Sequence, residues 1–144
     1  MQQSSSKNKI ILALSKVVGV GNVKILEIIE QTSDFQSNET KELIEKSLGV
    51  DKFSEYQIHL NNLHKDVALF EKLGIDYFTI LDKFYPEQLK LVESPPVILF
   101  FKGKYKFEEL EKFFSKMRFG IVGSRNIIQK TKLNKLQQVR LFDV

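Results

Sequence analysis

Between Ile10 and Leu73 apolar residues recur at intervals of three and four, the spacing of one face of an α-helix. Leu12, Leu14, Val17 and Val18 form a first group; Val23, Ile25, Leu26, Ile28 and Ile29 form a second. Gly19-Val20-Gly21 lies between them, so the stretch 10–30 reads as helix, hairpin, helix. The polar run from Thr32 to Thr40 is a connection, and Ser37 or Asn38 is placed to cap the helix after it. That helix runs from Glu39 to Leu48, with Leu43, Ile44 and Leu48 inward and Gly49 at its end. A longer helix covers Lys52 to Leu73, where Phe53, Tyr56, Leu60, Leu63, Val67, Phe70 and Leu73 make one buried stripe. Gly74 stops it.

After Gly74 the helical period gives way to short apolar runs. Tyr77 to Ile80 is aromatic and β-branched, the composition of a strand. Tyr85-Pro86 and its polar neighbours interrupt it. Pro95-Pro96 cannot join a ladder and forces extended backbone before it. The run from Pro95 to Phe101 then has the length of a buried strand and stops at Gly103. Phe107 to Lys116 reads as a short helix with Leu110, Phe113 and Phe114 on its buried side. Phe119 to Gly123 is another buried strand, and it leads directly into Ser124-Arg125. That ending gathers a backbone turn, a hydroxyl and a guanidinium at the carboxyl end of a strand, where open α/β sheets bind ligands. The expected organisation is a disordered tail at 1–9, a helical domain at 10–74, the start of a parallel α/β sheet at 75–126, and a divergent tail at 127–144.

Composition narrows the function classes. A chain of 144 residues, 42% hydrophobic, suffices for one domain with a real core. It has no apolar run long enough to span a bilayer and no signal-like start, so a cytoplasmic protein without a membrane partner is expected. The absence of Cys excludes disulfides and thiolate metal sites. His59 and His64 are five apart and do not share a helix face, so no metal, no cofactor and no catalytic residue is assigned. The net charge of +4 permits an anionic partner and equally fits lysine-rich solvated faces. Gly19 and Gly21 would let backbone N–H groups approach a phosphate at the start of the second helix, with Lys24 in reach. The alternative is a tight corner between two helices. Lys102, Lys104 and Lys106 alternate after Phe100-Phe101, either as charge for such a ligand or as a solvated loop.

Several motifs occur in a fixed order: Tyr85-Pro86, Leu89, Pro95-Pro96-Val97-Ile98-Leu99, Lys102-Gly103 and Ile121-Val122-Gly123-Ser124-Arg125. In this order and spacing the chain resembles the DNA-processing protein A family (DprA, also called Smf). The resemblance is clear from Tyr77 to Asn126 and fainter back to Leu12. It implies a small helical domain of the helix-hairpin-helix or SAM-like kind, followed by a Rossmann-like α/β domain. It also implies a function without catalysis: binding incoming single-stranded DNA during natural transformation, protecting it, and passing it to the RecA recombinase. Gly123, Ser124 and Arg125 would hold phosphate, Arg125 by a charge-assisted bond, with Lys102 and Lys104 adding charge. Full-length members of the family homodimerise.

Past Asn126 the family pattern continues with a Thr or Ser, an aromatic, a Gly and a helix, then another Gly-rich loop. Here Ile127 to Val144 contains neither Gly nor Pro. The expectation is a truncated member with an out-of-frame end, missing the dimer surface and impaired in binding. Three other readings stand beside it. One is a Rossmann-like nucleotide-processing enzyme such as a phosphoribohydrolase, although no Gly-rich phosphate cradle follows the strand and no carboxylate lies just after Arg125. The second is a helical module in which only Leu12 to Gly74 folds. The third is an inactive pseudogene product.

Overall fold

The computed structural model describes residues 6–103 and Glu109. Four helices come first: α1 (Ser6–Lys16), α2 (Asn22–Gln31), α3 (Asn38–Leu48) and α4 (Val50–Leu73). Strand β1 (Asp76–Thr79), the single turn α5 (Glu87–Lys90) and strand β2 (Ile98–Phe101) follow.

Helix α1 is the centre. Ile11, Leu12, Ala13 and Leu14 are all buried, and four consecutive buried positions cover more than one face of a helix. Helices α2 and α4 and both strands pack around it. This corrects the expected tail for residues 6–9, because α1 already begins at Ser6 and Asn8 is buried; residues 1–5 lie outside the described residues. An isolated eleven-residue helix is marginal in water, so α1 exists because its neighbours cover it. Lys7 and Lys9 gave this segment its polar look, and both face solvent.

The other helices follow the pattern closely. Ser37 caps α3 by accepting the Thr40 N–H. Gly74 ends α4 in a left-handed conformation, with its N–H directed at Phe70 and Glu71 carbonyls. On α4, Phe53, Tyr56 and Leu63 are buried, but Leu73 is 45% exposed, so the stripe ends earlier than the spacing suggests. Helix α1 has less than half the length of α4 and cannot cover its last turn. Val18 and Val23, also expected inward, are exposed.

Strands β1 and β2 pair antiparallel, with Asp76 opposite Phe101 and Thr79 opposite Ile98. The expected start of a parallel sheet is therefore corrected for these two strands. A parallel pair needs a long crossover, usually a helix, whereas residues 80–97 turn back through a loop holding only α5. Both faces of the ribbon are apolar. Tyr77 and Ile98 lie against the helical core, which itself includes Val97. Phe78, Leu99 and Phe101 lie on the other face, with Tyr85, Ile80 and Leu89. Gly74 thus divides two kinds of element, while the helical core reaches across it through Tyr77, Val97 and Ile98 and a second, smaller cluster lies wholly beyond it. The expected helix at 107–116 (Glu109 aside), the strand ending at Gly123 and the stretch 127–144 lie outside the described residues.

Candidate nucleic-acid interface

The hairpin between α1 and α2 is anchored from inside. Val17 and Val20 are buried, and their N–H groups donate to Leu14 and Val17 carbonyls at 3.2 Å each. Between them Val18 and Gly19 are exposed. Gly19 has φ +77°, which a side chain resists; Gly21 has φ −93°, which any residue adopts. Gly21 stands at the N-cap of α2, where no side chain caps the helix. The first-turn N–H groups of α2 therefore form an open, partly positive end.

Helix α4 reaches this hairpin from the side. The Val18 N–H donates to Glu55 Oε1 at 3.1 Å, and Lys52 Nζ lies 3.5 Å from the Gly19 carbonyl. The Val18 N–H holds the Glu55 carboxyl below the usual glutamate range, against a smaller opposing push from desolvation, with His59 and Lys52 adding to the lowering. One hairpin N–H is thus already matched to an anion of the protein itself. Lys24 pairs with Glu27 at 3.1 Å on the exposed face of α2. The nearest cation to Gly19 is Lys52, which sequence reasoning missed. Lys52 is far from the hairpin along the chain and gives no local signal.

Of the other expected contacts, Lys102 is exposed just beyond β2, with no ion pair among the described residues. Lys104, Gly123, Ser124 and Arg125 lie outside them. Among the described residues no cluster of three His, Asp or Glu forms that would hold a metal ion. His59 pairs with Glu55, and His64 meets the Asn61 carbonyl of its own helix.

The motif residues within β1 to β2 build a scaffold. Tyr85 is buried, its ring edge-on to Phe78 at 6.4 Å, and its hydroxyl donates to the Pro96 carbonyl at 2.7 Å. Burial pushes the Tyr85 hydroxyl pKa up. The Leu89 N–H donates to Pro86, and the Ile80 N–H to Val97. These bonds fold the loop 80–97 onto the sheet. A second lock joins this loop to α1. Asp82 accepts the Thr79 N–H at 2.7 Å and both oxygens face Asn8 Nδ2, at 2.9 and 3.1 Å. The Thr79 hydroxyl donates to Asn8 Oδ1 at 2.8 Å. No buried side-chain polar atom among the described residues lacks a partner. The one sequence signal for this lock is an Asn four residues before Leu12, on the buried stripe of α1.

The described residues thus define a helical core joined to a pinned strand–loop–strand unit. The sequence model of the DNA recombination-mediator protein A family matches residues 76–140, so this segment of the chain is similar to that family. The match begins at the first residue of β1, continues past Asn126, and covers slightly less than half of the chain. Helices α1 to α4 stand outside it. No curated protein and no solved structure matches the chain. Among the described residues no helix is long and apolar enough to cross a membrane.

Proposed function

We propose that the protein is a DNA recombination mediator that binds single-stranded DNA and passes it to the RecA recombinase in the cytoplasm during natural transformation. It acts by binding and not by catalysis. The family match over 76–140 carries this reading, because it encloses Lys102, Lys104, Gly123, Ser124 and Arg125. Phosphate capture needs few parts: a guanidinium for a charge-assisted bond, a hydroxyl, free backbone N–H groups and nearby positive charge. A Rossmann-like sheet would present Arg125 at a strand's carboxyl end. Exposed Lys102 and the net charge of +4 support the same reading.

Fluorescence anisotropy with a labelled oligonucleotide at two salt concentrations tests it. Arg125→Ala should weaken binding by about 1–3 kcal/mol and make the dependence on log salt shallower. Lys104→Ala should cost less. Equal losses would mean a diffuse basic surface and would remove Arg125 from the site. Saturable binding of ADP-ribose without binding of the oligonucleotide would favour the nucleotide-processing enzyme instead.

A further inference from the structure

Where the last turn of α4 meets the Asp76–Phe101 end of the ribbon, the surface is aromatic. The Phe100 ring stands edge-on to Phe70 at 5.5 Å and tilted against Tyr77 at 6.4 Å, and Phe70 meets Tyr77 edge-on at 5.9 Å. These contacts pin the Phe100 ring from one side. Its other side is open: Phe100 is 57% exposed, and it is the one exposed aromatic side chain among the described residues. Leu69 and Leu73, one turn apart on α4 and both exposed, extend the patch past Phe70. A joined aromatic and aliphatic surface of this kind marks a place where something binds.

The charges around the patch decide what that is. Lys65 stands one turn before Leu69 on α4, and Lys102 follows two residues after Phe100. Both are exposed, and neither has an ion pair among the described residues. The nearby carboxylates are engaged or turned away. Asp66 is paired with Lys16. Asp76 sits opposite Phe101 and Tyr77 opposite Phe100, so Asp76 belongs to the other face of the ribbon. Glu71 is two residues from both Leu69 and Leu73, which places it nearly opposite them around α4. An aromatic surface flanked by cations and cleared of acids complements bases carried on a phosphate chain. Tyr77, Phe100 and Lys102 also lie inside the segment similar to the DNA recombination-mediator family.

We propose that this patch is a stacking platform for unpaired bases of single-stranded DNA. A base lies on the Phe100 ring, a neighbouring base rests on Leu73 and Leu69, and the phosphates beside them meet Lys102 and Lys65. A duplex keeps its base faces inside its own stack and has none to offer Phe100, so the platform selects single strands. Stacking reads a π-face that every base possesses, so it selects no sequence. The inference rests on the reading that the chain binds single-stranded DNA, and it adds a contact that does not use Arg125.

The test is fluorescence anisotropy of the whole chain with a labelled single strand, an abasic strand of equal length and a duplex, at one salt concentration. The single strand should bind about tenfold more tightly than the abasic strand. Phe100→Leu keeps an exposed apolar side chain and removes the π-face. It should weaken the single strand about tenfold and leave the abasic strand unchanged. Lys65→Gln should weaken both strands alike. Single-strand binding unchanged in Phe100→Leu overturns the platform and leaves the Arg125 reading standing. Base-dependent binding lost in Phe100→Leu but untouched by Arg125→Ala supports the platform and removes Arg125. No binding of any strand overturns both. A change of oligomeric state in Phe100→Leu by sedimentation, with strand binding intact, overturns the platform and gives the patch to a second copy.

Discussion

The two ends of α1 are solved in opposite ways. At its start Asn8 is buried among Thr79 and Asp82, and both of its side-chain polar atoms are bonded within the protein. At its end the chain turns through Val18 and Gly19 in the open, and the next helix begins uncapped. The buried end costs desolvation and is held by hydrogen bonds; the open end leaves backbone groups for water or for something that replaces water. One helix therefore serves as a peg at one end and as an accessible corner at the other. Only the accessible corner is free to meet a partner.

The largest test bears on what the two ends share. Ile11→Ala should lower stability by about 2–5 kcal/mol in urea unfolding, because the cavity would open at the centre of the core. Asn8→Ala should cost about 1–3 kcal/mol, since the buried Thr79 hydroxyl would lose its acceptor and the half-buried Asp82 its Asn8 donor. A change near zero would mean that the closed end is not a lock. Gly19→Ala should cost about 1–2 kcal/mol for backbone strain at positive φ, while Gly21→Ala should stay within about 0.5 kcal/mol. Equal costs would erase the difference between the two glycines. Should Gly21→Ala keep its stability yet lose oligonucleotide binding, the open end approaches phosphate closely. The smallest effect concerns pH. The Glu55 carboxyl is lowered, so its bond to Val18 contributes above the ordinary glutamate range and fades as pH falls through the lowered value. Glu55→Gln should flatten that acid limb in thermal melts and shift the midpoint less than Asn8→Ala does.

Periodicity made the helices legible because α2, α3 and α4 bury one stripe each, and the capping residues Ser37 and Gly74 speak locally. Helix α1 was placed too late, since its first turn is polar and its one buried polar residue finds partners beyond Gly74. Strand positions were legible from Tyr77–Ile80 and Val97–Phe101, whereas their antiparallel pairing depends on how the 80–97 loop turns back. Tyr85 and the double proline pointed to a family, yet within the described residues they act through packing and one hydrogen bond to the Pro96 carbonyl. The hairpin glycines were visible; Lys52 and Glu55 beside them were not, because only the packing of α4 on α1 brings them there.

Val97 completes a core whose centre is α1. During synthesis α1 leaves the ribosome long before its last cover does. At ordinary elongation rates of roughly 5–20 residues per second, the delay between Lys16 and Phe101 is on the order of ten seconds. Through that interval Ile11, Leu12 and Leu14 have only α2 to α4 to shelter them, and Asn8 has no Thr79 or Asp82 to bond. The nascent chain is thus obliged to wait, partly collapsed, for a segment made much later, and that wait is when a chaperone or a misplaced neighbour would find it.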